Sequence, residues 1–139
     1  MLNDCTIQGR LTADPQLHAA PDGTKVCTVI LACGRDYKDK SGTRPTDFIS
    51  VVCWAQRADF IAEHFRKGQL IIVRGRMKTR SYKDKSDTTR YVTEIAAEQL
   101  YFSDSKKTAA VPDAPPFADA VPVADDYDIP PEYEATVQY

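Results

Sequence analysis

Period-two alternation of apolar and polar residues runs through most of the first hundred positions and predicts strands. Its clearest stretch is residues 69–82, QLIIVRGRMKTRSY. Ile71, Val73 and Met77 fall on one parity; Arg74, Arg76, Lys78, Arg80 and Tyr82 fall on the other. Successive strand side chains point to opposite faces, so one face suits a core and the other carries four cations and a ring. Gly75, in mid-strand, marks a bulge, a bend or the close approach of another backbone.

Four more strands read from the same pattern. Residues 3–11 (NDCTIQGRL) form the first. Residues 24–33 (TKVCTVILAC) are apolar on both parities, which predicts burial on both sides, by a core and by a partner subunit. Residues 47–54 (DFISVVCW) place Ile49, Val51 and Cys53 on one face and Phe48, Ser50, Val52 and Trp54 on the other. Residues 90–102 return as the last strand. One helix is expected over 55–67, where Ala58, Ile61, Ala62 and Phe65 recur at helical spacing. Arg66 and Lys67 suit its C-terminal end, and Gly68 its stop.

Turn signals stand at Ala13-Asp14-Pro15 and Pro21-Asp22-Gly23. Residues 35–46 and 83–89 are polar and read as hairpin arms. Five strands, long basic hairpins and one helix between the third and fourth strands predict a mainly β fold, the OB-fold, a five-stranded Greek-key barrel.

From Ser103 the alternation stops. Residues 108–139 hold six of the nine prolines, seven acids and no Lys or Arg. Such a segment cannot bury enough surface to offset its ordering entropy, so a domain over 1–107 and a disordered acidic tail over 108–139 are expected. The overall charge of -2 hides an asymmetry: the body carries all 18 Lys and Arg against 13 acids, for +5, and the tail carries -7. A basic body with an acidic tail suits a nucleic-acid binder with an interaction tail.

Candidate chemistry follows from the cationic face. A row of cations ending in a ring suits a polyanion with flat bases, namely single-stranded nucleic acid. The competing reading is an edge strand guarded against pairing. Tyr37 lies in a charged arm with little core to fill. Phe48 and Trp54 bracket one sheet face. Core burial is the usual fate of such rings, but the alternation leaves an apolar face without them, which favours stacking. Cys5, Cys27, Cys33 and Cys53 form no CxxC pair, and only His18 and His64 could add ligands, so neither metal nor cofactor is expected. Each cysteine reads as a small buried hydrophobe. No P-loop and no paired nucleophile and base appear, so no enzyme is expected. The chain opens on no signal-peptide pattern and has no run long enough to cross a membrane, which predicts a soluble, reduced, cytoplasmic protein.

Several steps in fixed order resemble a known family: Asn3 followed by Gly9-Arg10-Leu11 and Asp14-Pro15; Asp47-Phe48 into Val51-Val52; Arg66-Lys67-Gly68; Gly75; Thr79-Arg80; Arg90-Tyr91 into Thr93-Glu94. Over about residues 1–103 the chain resembles the bacterial-type single-stranded DNA-binding proteins (SSB). That resemblance implies a homotetramer of OB-folds that binds single-stranded DNA in replication, recombination and repair, in association with the nucleoid. It implies base stacking at Tyr37, Phe48, Trp54 and Tyr82, where relatives often have Trp. Arg10, Arg35, Arg74, Arg76, Lys78 and Arg80 are the matching candidates for the phosphates. Asp125, Asp126, Asp128, Ile129 and Pro130 resemble the family's acidic tip, which recruits replication and repair proteins. Pro131 stands where that tip closes on Phe, and the chain runs on to Tyr139. The rival readings are an OB-fold adaptor that binds mainly protein and a module for single-stranded RNA.

Overall fold

The computed structural model describes residues 1–103. Its elements are β1 (Cys5–Leu11), β2 (His18–Ala19), β3 (Lys25–Gly34), β4 (Thr46–Trp54), α1 (Gln56–His64), β5 (Leu70–Lys83) and β6 (Thr89–Phe102). The sheet order is β1-β5-β6-β4-β3-β2, and a further β1–β3 pairing closes the first five into a barrel. All pairings are antiparallel except β4 with β6. This is the expected mainly β OB-fold, with its helix between β4 and β5. The two-residue β2 had no signal in the alternation.

The barrel interior takes the parity that the pattern assigns to it except at Met77, which is 50% exposed because β1 pairs with β5 no further than Gly75. Cys27, Val29 and Leu31 of β3 meet Val51 and Cys53 of β4, Ile71 and Val73 of β5, and Ile95 and Ala97 of β6. Ala58, Ile61 and Phe65 close one end of this core. Each buried aliphatic side chain contributes about 1.5–3 kcal/mol relative to exposure. Cys27 and Cys53 are fully buried, and burial pushes the Cys27 thiol up to about 11, so both act as apolar fillers.

Gly75 serves two of the purposes open to it. The β5–β6 register runs Arg74↔Gln99 and then Gly75↔Ala97, so β6 carries Glu98 as an extra residue. The backbone of β6 closes on Gly75 there. A Cβ on Gly75 would overlap the Ala96 carbonyl oxygen and stand 2.9 Å from its carbon and 3.1 Å from Ala97 Cα.

The helix is shorter than its spacing predicts. Phe65 has left helical conformation, with φ -121°, though its N–H still reaches the Ile61 carbonyl at 3.1 Å. The departure drives the Phe65 ring into the core, where it stacks on Phe102 at a centroid distance of 4.8 Å. Arg66 and Lys67 are therefore not the last turn of the helix. Lys67 N–H donates to Asp14 Oδ1 at 2.7 Å, and Gly68 N–H donates to the Leu11 carbonyl at 2.8 Å. These bonds stitch a turn to the end of β1. Gly68 takes φ +88° there, which favours glycine.

The outward parity of β3 is covered less evenly than expected. Val26 is buried, while Thr28, Ile30 and Ala32 are half-buried. Val26 belongs to a second apolar cluster with Ala20, Val52, Trp54 and Ala96. The expected tail, including Asp125, Asp126, Asp128, Ile129 and Pro130, lies outside the described residues.

Candidate nucleic-acid interface

Register decides which outward side chains share a surface. Directly paired residues point the same way. Arg76 pairs Ala96, Ala96 pairs Val52 and Val52 pairs Thr28, so one row crosses β5, β6, β4 and β3 on the outside of the barrel. The cation row of β5 and the Phe48–Trp54 parity of β4 therefore belong to one continuous face. A second row sets Arg10, Ala32 and Phe48 side by side across β1, β3 and β4.

The rings on this face differ in availability. Phe48 and Tyr82 are half-buried and Tyr37 is 56% exposed. Trp54 corrects the expectation drawn for it. It keeps the predicted parity, but it is only 1% exposed, because Ala20, beside β2, and Val26, Val52 and Ala96 enclose it. In this arrangement Trp54 presents no open face to a base. Sequence reading also missed Tyr101, which is 47% exposed and shares β5's outward face through its pairing with Ile72.

Most of the candidate cations already hold an acceptor. Arg74 grips Asp4 through Nε and Nη2 at 3.1 and 2.9 Å, and Arg76 Nε lies 2.9 Å from Glu98 Oε1. The hydrogen bond from Arg74 holds the Asp4 carboxyl below its ordinary range. Both pairs are about half exposed, and such pairs contribute about 0–1 kcal/mol, so a phosphate can displace either acid at little cost. Arg80 is different. It lies 3.2 Å from Glu94, with the two side chains 15% and 1% exposed, and its Cζ sits 6.0 Å from the centroid of the Tyr82 ring. Arg10 Nη1 donates to the Gly68 carbonyl at 3.0 Å. Lys78 stands opposite Glu94 in the ladder. Arg35 holds Asp47 through Nε at 3.0 Å and Nη2 at 2.7 Å, while its Nη1 donates to the Tyr37 hydroxyl at 2.7 Å.

This difference is measurable. Arg74→Ala lowers the slope of log K against log salt for a single strand by about 0.7, one phosphate contact's worth. Arg80→Ala leaves that slope unchanged, because Glu94 already neutralises it. Equal slope changes in the two variants would refute the distinction.

Both arms end in the same capped turn. Asp39 Oδ1 accepts the N–H of Ser41 at 2.9 Å and of Thr43 at 3.0 Å; Asp84 Oδ1 accepts those of Ser86 at 2.9 Å and Thr88 at 3.0 Å. The hydroxyls of Ser41 and Ser86 are the largest cause holding the two carboxyls below their usual range. A carboxyl whose folded pKa is depressed contributes stability above its unfolded value of about 3.9 and loses it as pH falls further. The amide shifts of Ser41, Thr43, Ser86 and Thr88 therefore hold steady from pH 7 to about 4 and move only below that. Titration of these amides between pH 5 and 7 would refute the capping role.

The model of the Single-strand binding protein family matches residues 2–103, and the chain belongs to that family. It is 41% identical over 106 residues to the single-stranded DNA-binding protein of Caldanaerobacter subterraneus subsp. tengcongensis, a match that covers 76% of this chain and 71% of that relative. Single-stranded DNA-binding protein A of Bacillus subtilis is also 41% identical over 106 residues, covering 76% of this chain and 62% of the relative. Single-stranded DNA-binding protein 1 of Lactococcus lactis is 40% identical over 108 residues, covering 78% and 72%.

Proposed function

We propose that this protein binds single-stranded DNA without sequence readout, and so protects it during replication, recombination and repair. The observation that carries this is the single row from Arg76 through Ala96 and Val52 to Thr28, which fuses the cations of β5 with the apolar outer face of β4. Arg74, Arg76, Lys78 and Arg10 neutralise phosphates, releasing counterions and giving affinity that falls steeply with salt. Tyr37, Phe48 and Tyr82 stack bases at ~1–3 kcal/mol each, and every base has a π-face, so sequence matters little. Neither contact requires a base's hydrogen-bonding edge, and a duplex keeps its bases stacked on one another. Oligo-dT is therefore bound more tightly than a duplex of equal length at one salt concentration. Equal or tighter binding of the duplex would overturn the proposal.

The assembly that fits is a homotetramer. The β5–β6 hairpin runs past the end of β1 and leaves Met77 50% and Tyr91 83% exposed, which is apolar surface for a second copy. Light scattering that gave a monomer would sink this. The acidic tail, through Asp125, Asp126, Asp128, Ile129 and Pro130, is the element that recruits replication and repair proteins. A peptide of residues 120–139 that bound none of them would contradict that role.

A further inference from the structure

Two segments of the chain repeat one another. Arg35-Asp36-Tyr37-Lys38-Asp39-Lys40-Ser41-Gly42-Thr43 and Arg80-Ser81-Tyr82-Lys83-Asp84-Lys85-Ser86-Asp87-Thr88 agree at seven of nine positions. They close different hairpins, β3–β4 and β5–β6, yet fold alike. Asp39 N–H donates to the Thr43 carbonyl at 2.8 Å, and Asp84 N–H to that of Thr88 at 3.1 Å. The residue before each Thr has positive φ, +81° at Gly42 and +61° at Asp87.

The likeness extends to the arginine that opens each repeat. The guanidinium carbon of Arg35 lies 6.0 Å from the Tyr37 ring centroid, and that of Arg80 lies 6.0 Å from the Tyr82 centroid. Each arginine is held by a carboxylate of the strand that follows its arm: Asp47 of β4 for Arg35, Glu94 of β6 for Arg80. Arg35 adds a bond from Nη1 to the hydroxyl of its own tyrosine.

We propose that Arg35 is a positioning residue: anchored on Asp47, it holds the Tyr37 ring in place as a platform for one DNA base, and Arg80 on Glu94 does the same for Tyr82. The proposal rests on the stacking reading of the two tyrosines given above. Three of the five N–H donors of Arg35 are engaged within the arm, and Asp47 offsets its charge locally. Little of the group is left for a phosphate. Held at its hydroxyl end by the Arg35 guanidinium, the Tyr37 ring keeps a face for a base. A ring fixed before binding loses less freedom when the base arrives.

The test turns on a sign. If Asp47 merely competes with DNA for cations, Asp47→Ala tightens binding to oligo-dT. The clamp predicts the reverse: binding about three- to tenfold weaker at unchanged melting temperature, from the ordering cost of one side chain. Asp47 is close to half exposed, so the variant folds. Arg35→Gln also weakens binding, and it leaves the slope of log K against log salt unchanged. In a Tyr37→Ala background, Asp47→Ala no longer weakens binding, because there is no ring to hold. Tighter or unchanged binding by Asp47→Ala overturns the clamp, as does a slope that falls by about 0.7 in Arg35→Gln. If Tyr37→Ala alone binds like the native protein, the stacking reading fails and the clamp fails with it. If Tyr37→Ala weakens binding and Asp47→Ala does not, only the clamp fails.

Discussion

Replacing Trp54 by alanine lowers the unfolding free energy by about 3–5 kcal/mol, the range for emptying a large aromatic site in a core. The ring is 1% exposed and packs among Ala20, Val26, Val52 and Ala96. Few of these neighbours can collapse into the space, since all but Ala20 sit on strands held by ladder bonds. A domain of this size has about 5–15 kcal/mol of stability in total, so thermal or denaturant unfolding reads the loss easily. Tyr37→Ala and Tyr82→Ala behave in the opposite way. They leave the melting temperature near that of the native protein and cost about 1–3 kcal/mol in DNA affinity. A Trp54→Ala protein that melted like the native one and lost only affinity would return Trp54 to the stacking surface.

Gly75→Ala is the second large effect, at about 3 kcal/mol or more, the upper range for forced overpacking. The added methyl meets backbone rather than a side chain that could rotate away. Relief would require opening the β5–β6 ladder where Glu98 bulges from β6. The same ladder carries Arg76 and Lys78, so the variant loses salt-dependent DNA affinity along with stability. Urea unfolding measures the first loss and a salt titration the second. A Gly75→Ala protein as stable as the native one would show that the two backbones do not meet as described.

The alternation made much of this legible. It placed five strands, set Ile71 and Val73 inward and Arg74 to Tyr82 outward, and put Phe48 and Trp54 on one face. What it could not supply was what covers a face. Trp54 is buried because Ala20, beside the two-residue β2, lies close to it, and two residues carry no period to detect. The helix end was misplaced for a related reason. Phe65 fits helical spacing, but its ring is buried and stacks on Phe102, some forty residues later. Pairing of the cations was also hidden. Asp4 reaches Arg74 and Glu98 reaches Arg76 only once register is known. The repeated arm, in contrast, stands in the sequence itself and emerges when residues 35–43 are set against 80–88.

Two kinds of contact on one face form the centre of the account, and one titration separates them. Affinity is measured across a range of salt for oligo-dT and for a strand of equal length whose sugars carry no bases. The phosphates are the same in both, so the two plots of log K against log salt run parallel. The abasic strand lies below by at least about fivefold, since even one lost stack is worth ~1–3 kcal/mol. Superimposed plots would contradict the account, for they would mean that Tyr37, Phe48 and Tyr82 stack on nothing and that the protein holds DNA by charge alone.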